Sequence, residues 1–461
     1  MYIMERMKKM FLGLFLFLLI LFAGCSGEQT IQAYNVLGKA HHLDLTKEGY
    51  IIGIEKYKRE HIGNPKNGYP DRYKYKELPN LSNNNYEYIK EQNSEFIKAT
   101  DDGKSMVVTH IASYFPAVQF PPKDSVSQEK QRMYFGRTNE QLYREYIYNA
   151  YSHNLKGVKD YERGYTALSG LMDDIENRIN FAYDQNSPYS HIFIMSMGWN
   201  NDQLESIRRY NAIMNNIFEL EKTRNAAFRP MIIGITWPSA WFTIEDFWLK
   251  KKLIGHLGSY TNKSNDADEI GYTIANWLIN HQLPTVRKEI EEGIGKDDFP
   301  KIIAVGHSMG ARLLSRAIFS RDHLKVSPIN STSPVDMFIG LQGAFSARRF
   351  VAKDSGEGAP YKDYTYLSTR IILTSSEKDI ANSSALWSKH VGGGTGLEYM
   401  KKNPEVFKVF SWSSGLNRGI LDHDNKDKVI ILDATEIVDN HNDILDLDMA
   451  KLIMFCLSWL D

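Results

Sequence analysis

From about residue 185 onward the chain alternates short runs that are apolar on both faces with longer segments of helical period. The runs are HIFIMSM (191–197), PMIIGITW (230–237), KIIAVG (301–306), VDMFIGLQG (335–343), RIILTSS (370–376) and KVIILDAT (428–435). Between and after them lie NDQLESIRRYNAIMNNIFELEKTRNAAF (201–228), ADEIGYTIANWLINHQL (267–283), a segment beginning near residue 309, and DILDLDMAKLIMFCLSWL (443–460). A strand without a polar face has to be covered on both sides, and helical connections make consecutive strands parallel. The fold class this pattern predicts is α/β, with a mostly parallel sheet and helices on both faces, an N-terminal extension and insertions. Sites in such sheets form beyond the carboxyl ends of the strands, so the residues that follow each run are the ones to read.

The chain is 461 residues long, 43% hydrophobic and 24% charged, which allows a sizeable core. Its net charge of −1 gives no reason to expect a nucleic-acid partner. Arg6, Lys8 and Lys9 precede the apolar run MFLGLFLFLLILFAG (10–24), which reads as the h-region of an export signal covering residues 1–24. The following LFAGC resembles a bacterial lipobox, with Phe22 where Leu is usual. This resemblance implies a lipid on Cys25 and anchorage of an exported protein to a membrane of the cell envelope. The second cysteine, Cys456, falls in an apolar helical pattern and reads as a buried small hydrophobe. No Cys/His spacing suggests a metal site.

Residues 25–184 form a tether and an N-terminal region. GYIIGIEKY (49–57) and KSMVVTHIASY (104–114) read as strands, and RTNEQLYREYIYNAYSHNL (137–155) and ALSGLMDDIENRINFAY (167–183) as helices. Whether these strands extend the sheet or form a separate cover stays open.

After KIIAV the chain reads Gly306-His307-Ser308-Met309-Gly310, the G-x-S-x-G pattern of a serine on a tight strand-to-helix turn. Small residues two positions to either side let the backbones crowd, and the helix N-terminus behind the serine favours developing negative charge. The helix carries Leu313, Leu314, Ala317 and Ile318 on one face and Arg312 and Arg316 on another, as a surface-packed helix would. Chance alone supplies G-x-S-x-G in roughly one chain of this length in six or seven, so the flanking strand and helix give the pattern its weight.

A nucleophilic serine of this kind needs an acid and then a base later in the chain. Asp379 follows RIILTSS, and His441 follows KVIILDAT just before the last helix. Asp433, at the end of its strand, is the second choice for the acid and Glu377 the third. Asp336 opens a strand and belongs at the opposite edge. His307 is expected to pack or hydrogen-bond locally, and His390 and His423 to lie on the surface. Residues 238–300 and 381–427 read as lid or pocket-shaping insertions, with Gly392–Gly394 as an ordinary flexible loop or a hinge.

IFIMSMGWNND, GITWPSA and AVGHSMGARLLSRAI together resemble bacterial α/β-hydrolases of the esterase and lipase-like kind, over roughly residues 185–450. The sequence departs from that family at Met197, where His is common. The resemblance implies an α/β-hydrolase domain over 185–461. It implies carboxylic-ester cleavage by Ser308, His441 and Asp379, and an oxyanion hole of the Met309 and Trp199 amides, with an ester substrate and no metal or organic cofactor. A catalytically inactive binding or scaffold lipoprotein on the same fold is the alternative. Trp199, Trp237, Trp241 and Trp248 near strand ends read as pocket lining or as core.

Overall fold

A computed structural model describes residues 44–58, 104–116, 142–149, 163–199, 201, 203–221, 228–237, 239, 255–295, 299–321, 335–351, 360–361, 368–383, 389–413, 416 and 429–460. Ten strands form one sheet: β1 (Gly49–Lys58), β2 (Lys104–Pro116), β3 (Leu142–Asn149), β4 (His191–Ser196), β5 (Pro230–Thr236), β6 (Lys301–His307), β7 (Met337–Leu341), β8 (Arg370–Ser375), β9 (Phe407–Ser411) and β10 (Val429–Asp433). Their order across the sheet is β3-β2-β1-β5-β4-β6-β7-β8-β10-β9. The β1–β2 and β2–β3 pairs are antiparallel and all the others parallel. The protein is thus α/β with a mostly parallel sheet. The chain leaves β4 towards β5, then crosses back to place β6 on the other side of β4, so the strand order reverses between β4 and β6. A crevice opens where such a reversal occurs.

The apolar runs behave as their pattern requires. Ile192 and Ile194 of β4 join one core cluster while Phe193 and Met195 join the other, and β6 and β10 divide in the same way. One face is covered by α1 (Arg163–Asp184), α3 (Gly255–Tyr272), α4 (Ile274–Trp277) with the π-turn that follows it, α5 (Leu283–Ile294), α6 (Met309–Ile318) and α8 (Gly394–Lys401). The other is covered by α2 (Gln203–Glu221) and α9 (Leu447–Leu457). A four-residue helix, α7 (Ile380–Ser383), follows β8. Cys456 is fully buried in α9 with a free thiol.

Three expectations are corrected. Residues 142–149 form strand β3, not a helix: a bulge opposite Ile111 and Ala112 leaves Ile147 unpaired, so the alternation that marks a strand is broken. Its Arg144 is buried because Asp44 pairs with it at 2.9 Å. Arg312 and Arg316 of α6 face no solvent, since α3 and the 3₁₀ turn Ala347–Phe350 cover them and both side chains are fully buried. His390 is likewise fully buried instead of lying on the surface. The backbone also crosses closely at Gly392, as described below.

β1, β2 and β3 extend the main sheet, which answers the question left open for the N-terminal region. Residues 1–43, including Cys25, and Trp241, Trp248 and His423 lie outside the described residues. Among those described, no helix is long and apolar enough to cross a membrane.

Candidate active site

β6 delivers Ser308 at the carboxyl edge of the sheet, beside the reversal point, and α6 begins at the next residue. Ser308 adopts φ 56° and ψ −122°, a conformation that is strained for a residue with a side chain. Its own backbone bonds hold it there. The N–H donates to the Leu341 carbonyl at 3.0 Å, and the carbonyl accepts from Ala344 at 3.0 Å and Ala311 at 3.1 Å. The flanking glycines are required by space. A Cβ on Gly306 would lie 2.5 Å from Ala311 Cα, and one on Gly310 would lie 2.1 Å from the Ser196 carbonyl oxygen.

His441 stands in the loop between β10 and α9, with Nε2 2.8 Å from Ser308 Oγ and Nδ1 2.8 Å from Asp379 Oδ2. The Asp379 carboxylate only accepts, so Nδ1 carries the hydrogen and Nε2 is left to accept from the serine hydroxyl. Asp379 and Ser308 are buried, and the His441 side chain is about one-fifth exposed. The loop is pinned from three sides. His307 Nε2 donates to the His441 carbonyl at 2.8 Å, Ser376 Oγ donates to the Val438 carbonyl at 2.8 Å, and Arg209 Nη1 donates to Asn442 Oδ1 at 3.1 Å. The His307 ring also lies 4.8 Å from that of His441. Burial, and then the adjacent His441, hold the His307 pKa well below the usual histidine value, so this ring stays neutral and acts as a packed donor.

Asp379 is held more closely still. Asp379 Oδ1 accepts from the Asn382 backbone N–H at 3.0 Å, as an N-cap does for α7, and Oδ2 accepts from Asn382 Nδ2 at 2.8 Å. The other two carboxylates read as candidates are engaged elsewhere. Asp433 accepts from Thr435 Oγ1 at 2.5 Å and pairs with Lys401 at 3.4 Å, and Glu377 is an exposed residue 4.0 Å from Lys401. Asp336 lies at the amino edge, where it accepts from the Ile302 N–H.

The turn after β4 packs directly on the serine: a Cβ on Gly198 would fall 2.4 Å from Ser308 Cβ and 2.9 Å from Oγ. Asn201 Nδ2 donates to the carbonyls of Gly198 at 2.9 Å and Trp199 at 3.2 Å. Because the peptide is trans, the Trp199 N–H points the opposite way from the Gly198 carbonyl that Asn201 holds. Met309 is the first residue of α6 and its N–H has no acceptor within the helix. Ser239 Oγ bonds both the N–H and the carbonyl of Asn201, which ties the turn to the segment after β5. Trp237 is buried, with Nε1 on the Met197 carbonyl at 2.9 Å, and so belongs to the core.

Ser308, Asp379, His441, Met309 and the Trp199 turn therefore converge at one rim, between the ends of β4, β6, β8 and β10. Neither the family models nor the curated proteins compared with this sequence contain a match. What the site can do has to be read from its own geometry. Asn382, His390, Asn201 and Ser239 are site residues that sequence reading missed. The sole signal for Asn382 is its place three residues after Asp379, the spacing of an N-cap and its partner amide.

Proposed function

We propose that the protein is a serine hydrolase of the α/β-hydrolase fold that cleaves carboxylic esters through an acyl-enzyme. The observation that carries this reading is the continuous Ser308–His441–Asp379 chain, with two contacts of 2.8 Å and a buried acid. In the proposed reaction Ser308 Oγ attacks the ester carbonyl carbon while His441 Nε2 takes the hydroxyl proton. Asp379 keeps the hydrogen on Nδ1 and stabilises the imidazolium that forms. The carbonyl oxygen becomes an oxyanion held by the Met309 and Trp199 amides, and losing one such donor typically costs about 2.7–4 kcal/mol of barrier. Collapse of this intermediate breaks the bond to the leaving alkoxide, which takes the proton back from His441. Water, deprotonated by the same histidine, then attacks the acyl-serine and releases the acid and free Ser308. The strained φ of Ser308 supports the reading, because an unusual backbone angle at a buried serine facing a histidine is a common mark of reacting groups.

The test is labelling of the purified protein with a fluorophosphonate probe. Wild type is expected to be labelled and Ser308→Ala to remain unlabelled. Folded wild-type protein that takes up no probe would defeat the proposal and favour the scaffold alternative. A panel of esters of increasing acyl length then defines the substrate.

A further inference from the structure

We infer that Asn382, oriented by His390, is a positioning residue that fixes the Asp379 carboxylate, and through it the ring of His441. The inference rests on the proposed triad and adds a second pair of residues behind it.

The Asn382 amide is bonded on all sides. Nδ2 donates to Asp379 Oδ2 at 2.8 Å and to the Gln342 carbonyl at 2.8 Å, and both of these atoms only accept. Oδ1 must then receive a donor, and His390 Nδ1 stands 3.2 Å from it. A flipped amide would set its oxygen against a carboxylate and a carbonyl at once. His390 therefore selects the working orientation, with its own hydrogen on Nδ1. The amide also lies 3.4 Å from His441 Nδ1, where donor faces donor, and the two share one acceptor, Asp379 Oδ2.

The surrounding backbone packs closely on this amide. A Cβ on Gly392 would sit 2.3 Å from Asn382 Nδ2 and 2.4 Å from the Gln342 carbonyl carbon. The segment 389–394 also runs between the loop after β7 and the loop after β8, with Val391 N–H on the Phe345 carbonyl, Gly392 N–H on the Gly343 carbonyl and Ser376 N–H on the Gly392 carbonyl. Asn382 and His390 are both fully buried, or nearly so. Gln342 is held at φ 41° with its N–H on Thr374 Oγ1 at 3.0 Å, so the carbonyl that Asn382 meets is fixed from behind.

The experiment compares wild type with Asn382→Leu, His390→Leu and His390→Asn, the last restoring a donor near the Nδ1 position. Two quantities are measured on each protein: the second-order rate of fluorophosphonate labelling, and the low-field proton resonance of the His441 Nδ1–H. Asn382→Leu is expected to slow labelling by about tenfold or more, the loss typical of one hydrogen bond to a charged group, and to shift or abolish the resonance. His390→Leu should move both in the same direction and His390→Asn should return them towards wild type. Where Asn382→Leu does not fold, the His390 pair decides. A folded Asn382→Leu with wild-type labelling and an unmoved resonance overturns the inference. So do two His390 variants that behave alike. If wild type itself takes no probe, the hydrolase reading fails, while the resonance comparison still decides for or against positioning.

Discussion

Ser308 sits at φ 56° with its carbonyl claimed by Ala344 and Ala311 and its N–H by Leu341, so the strain is imposed by neighbours and not by the serine itself. A backbone angle of this kind costs about 1–3 kcal/mol for a residue with a Cβ and much less for glycine. Replacing the serine by alanine or glycine removes the same hydroxyl, but glycine alone releases the strain. Ser308→Gly is expected to be about 1 kcal/mol more stable than Ser308→Ala in urea unfolding, and equal stabilities would show that the angle carries no strain. At this scale the sequence was legible where a residue follows a strand. Ser308, Asp379 and His441 were found by asking what stands after each apolar run. Asn382 and His390 were not, because an Asn three residues beyond an Asp reads as part of a short helix start. His390 lies in a polar, glycine-bearing segment whose burial depends on contacts with the loops after β7 and β8.

The helix behind Ser308 is anchored by charge as well as by packing. Asp268 of α3 accepts from Arg312 Nε at 3.0 Å and Nη2 at 2.6 Å, and from Arg349 Nη1 and Nη2 at 2.9 Å each, with Arg316 Nε at 3.6 Å. Arg316 is stacked between Tyr272 and Tyr361, at 4.8 and 4.7 Å. Burial alone would raise the Asp268 pKa, but Arg312, Arg349 and Arg316 outweigh it and hold the carboxyl far below its usual range. The carboxylate therefore stabilises the fold at every pH above its unfolded value near 4, and that contribution fades as acid is added below it. Asp268→Asn leaves buried guanidinium groups short of a counter-charge and should cost about 3–5 kcal/mol at neutral pH. Its stability should also fall less steeply than that of wild type below about pH 4. Urea titrations at pH 7 and at pH 3 measure both effects, and a loss that is the same at the two pH values would exclude the linkage. This anchor was misread from sequence, because arginines spaced four apart beside a leucine stripe look like the wet side of a surface helix. The strands β4 to β8 and β10 were legible because their central positions are apolar on both faces. β9 was not, since its side chains at 408 and 411 are exposed and its pattern is that of a half-covered strand.

The ten strands make one body, and the early part of the chain belongs to it as fully as the part that bears the site. Tyr50, Ile52, Val108 and Ile111 enter the same core as α1 and β5, and Ile51 and Ala112 enter the opposite one. A chain shortened to begin at residue 163 would lose all of these and bare the edge of β5. Each fully buried large apolar side chain contributes about 1.5–3 kcal/mol, against a total stability of about 5–15 kcal/mol for a typical domain. Such a fragment is expected to aggregate, and a soluble fragment with a cooperative melt would show the first three strands to be dispensable. The β1–β5 ladder has a further consequence. Gly49 pairs with Ile232, so a strand made early in synthesis has its parallel neighbour supplied only after the next 180 or so residues have been added. At about 5–20 residues per second that delay is about 10–40 s, during which any β1–β2 pair formed has an open side where β5 will add. The order of synthesis thus leaves that side of β1 open until β5 arrives, and a binder that shields it in the interval is expected to raise the yield of native protein.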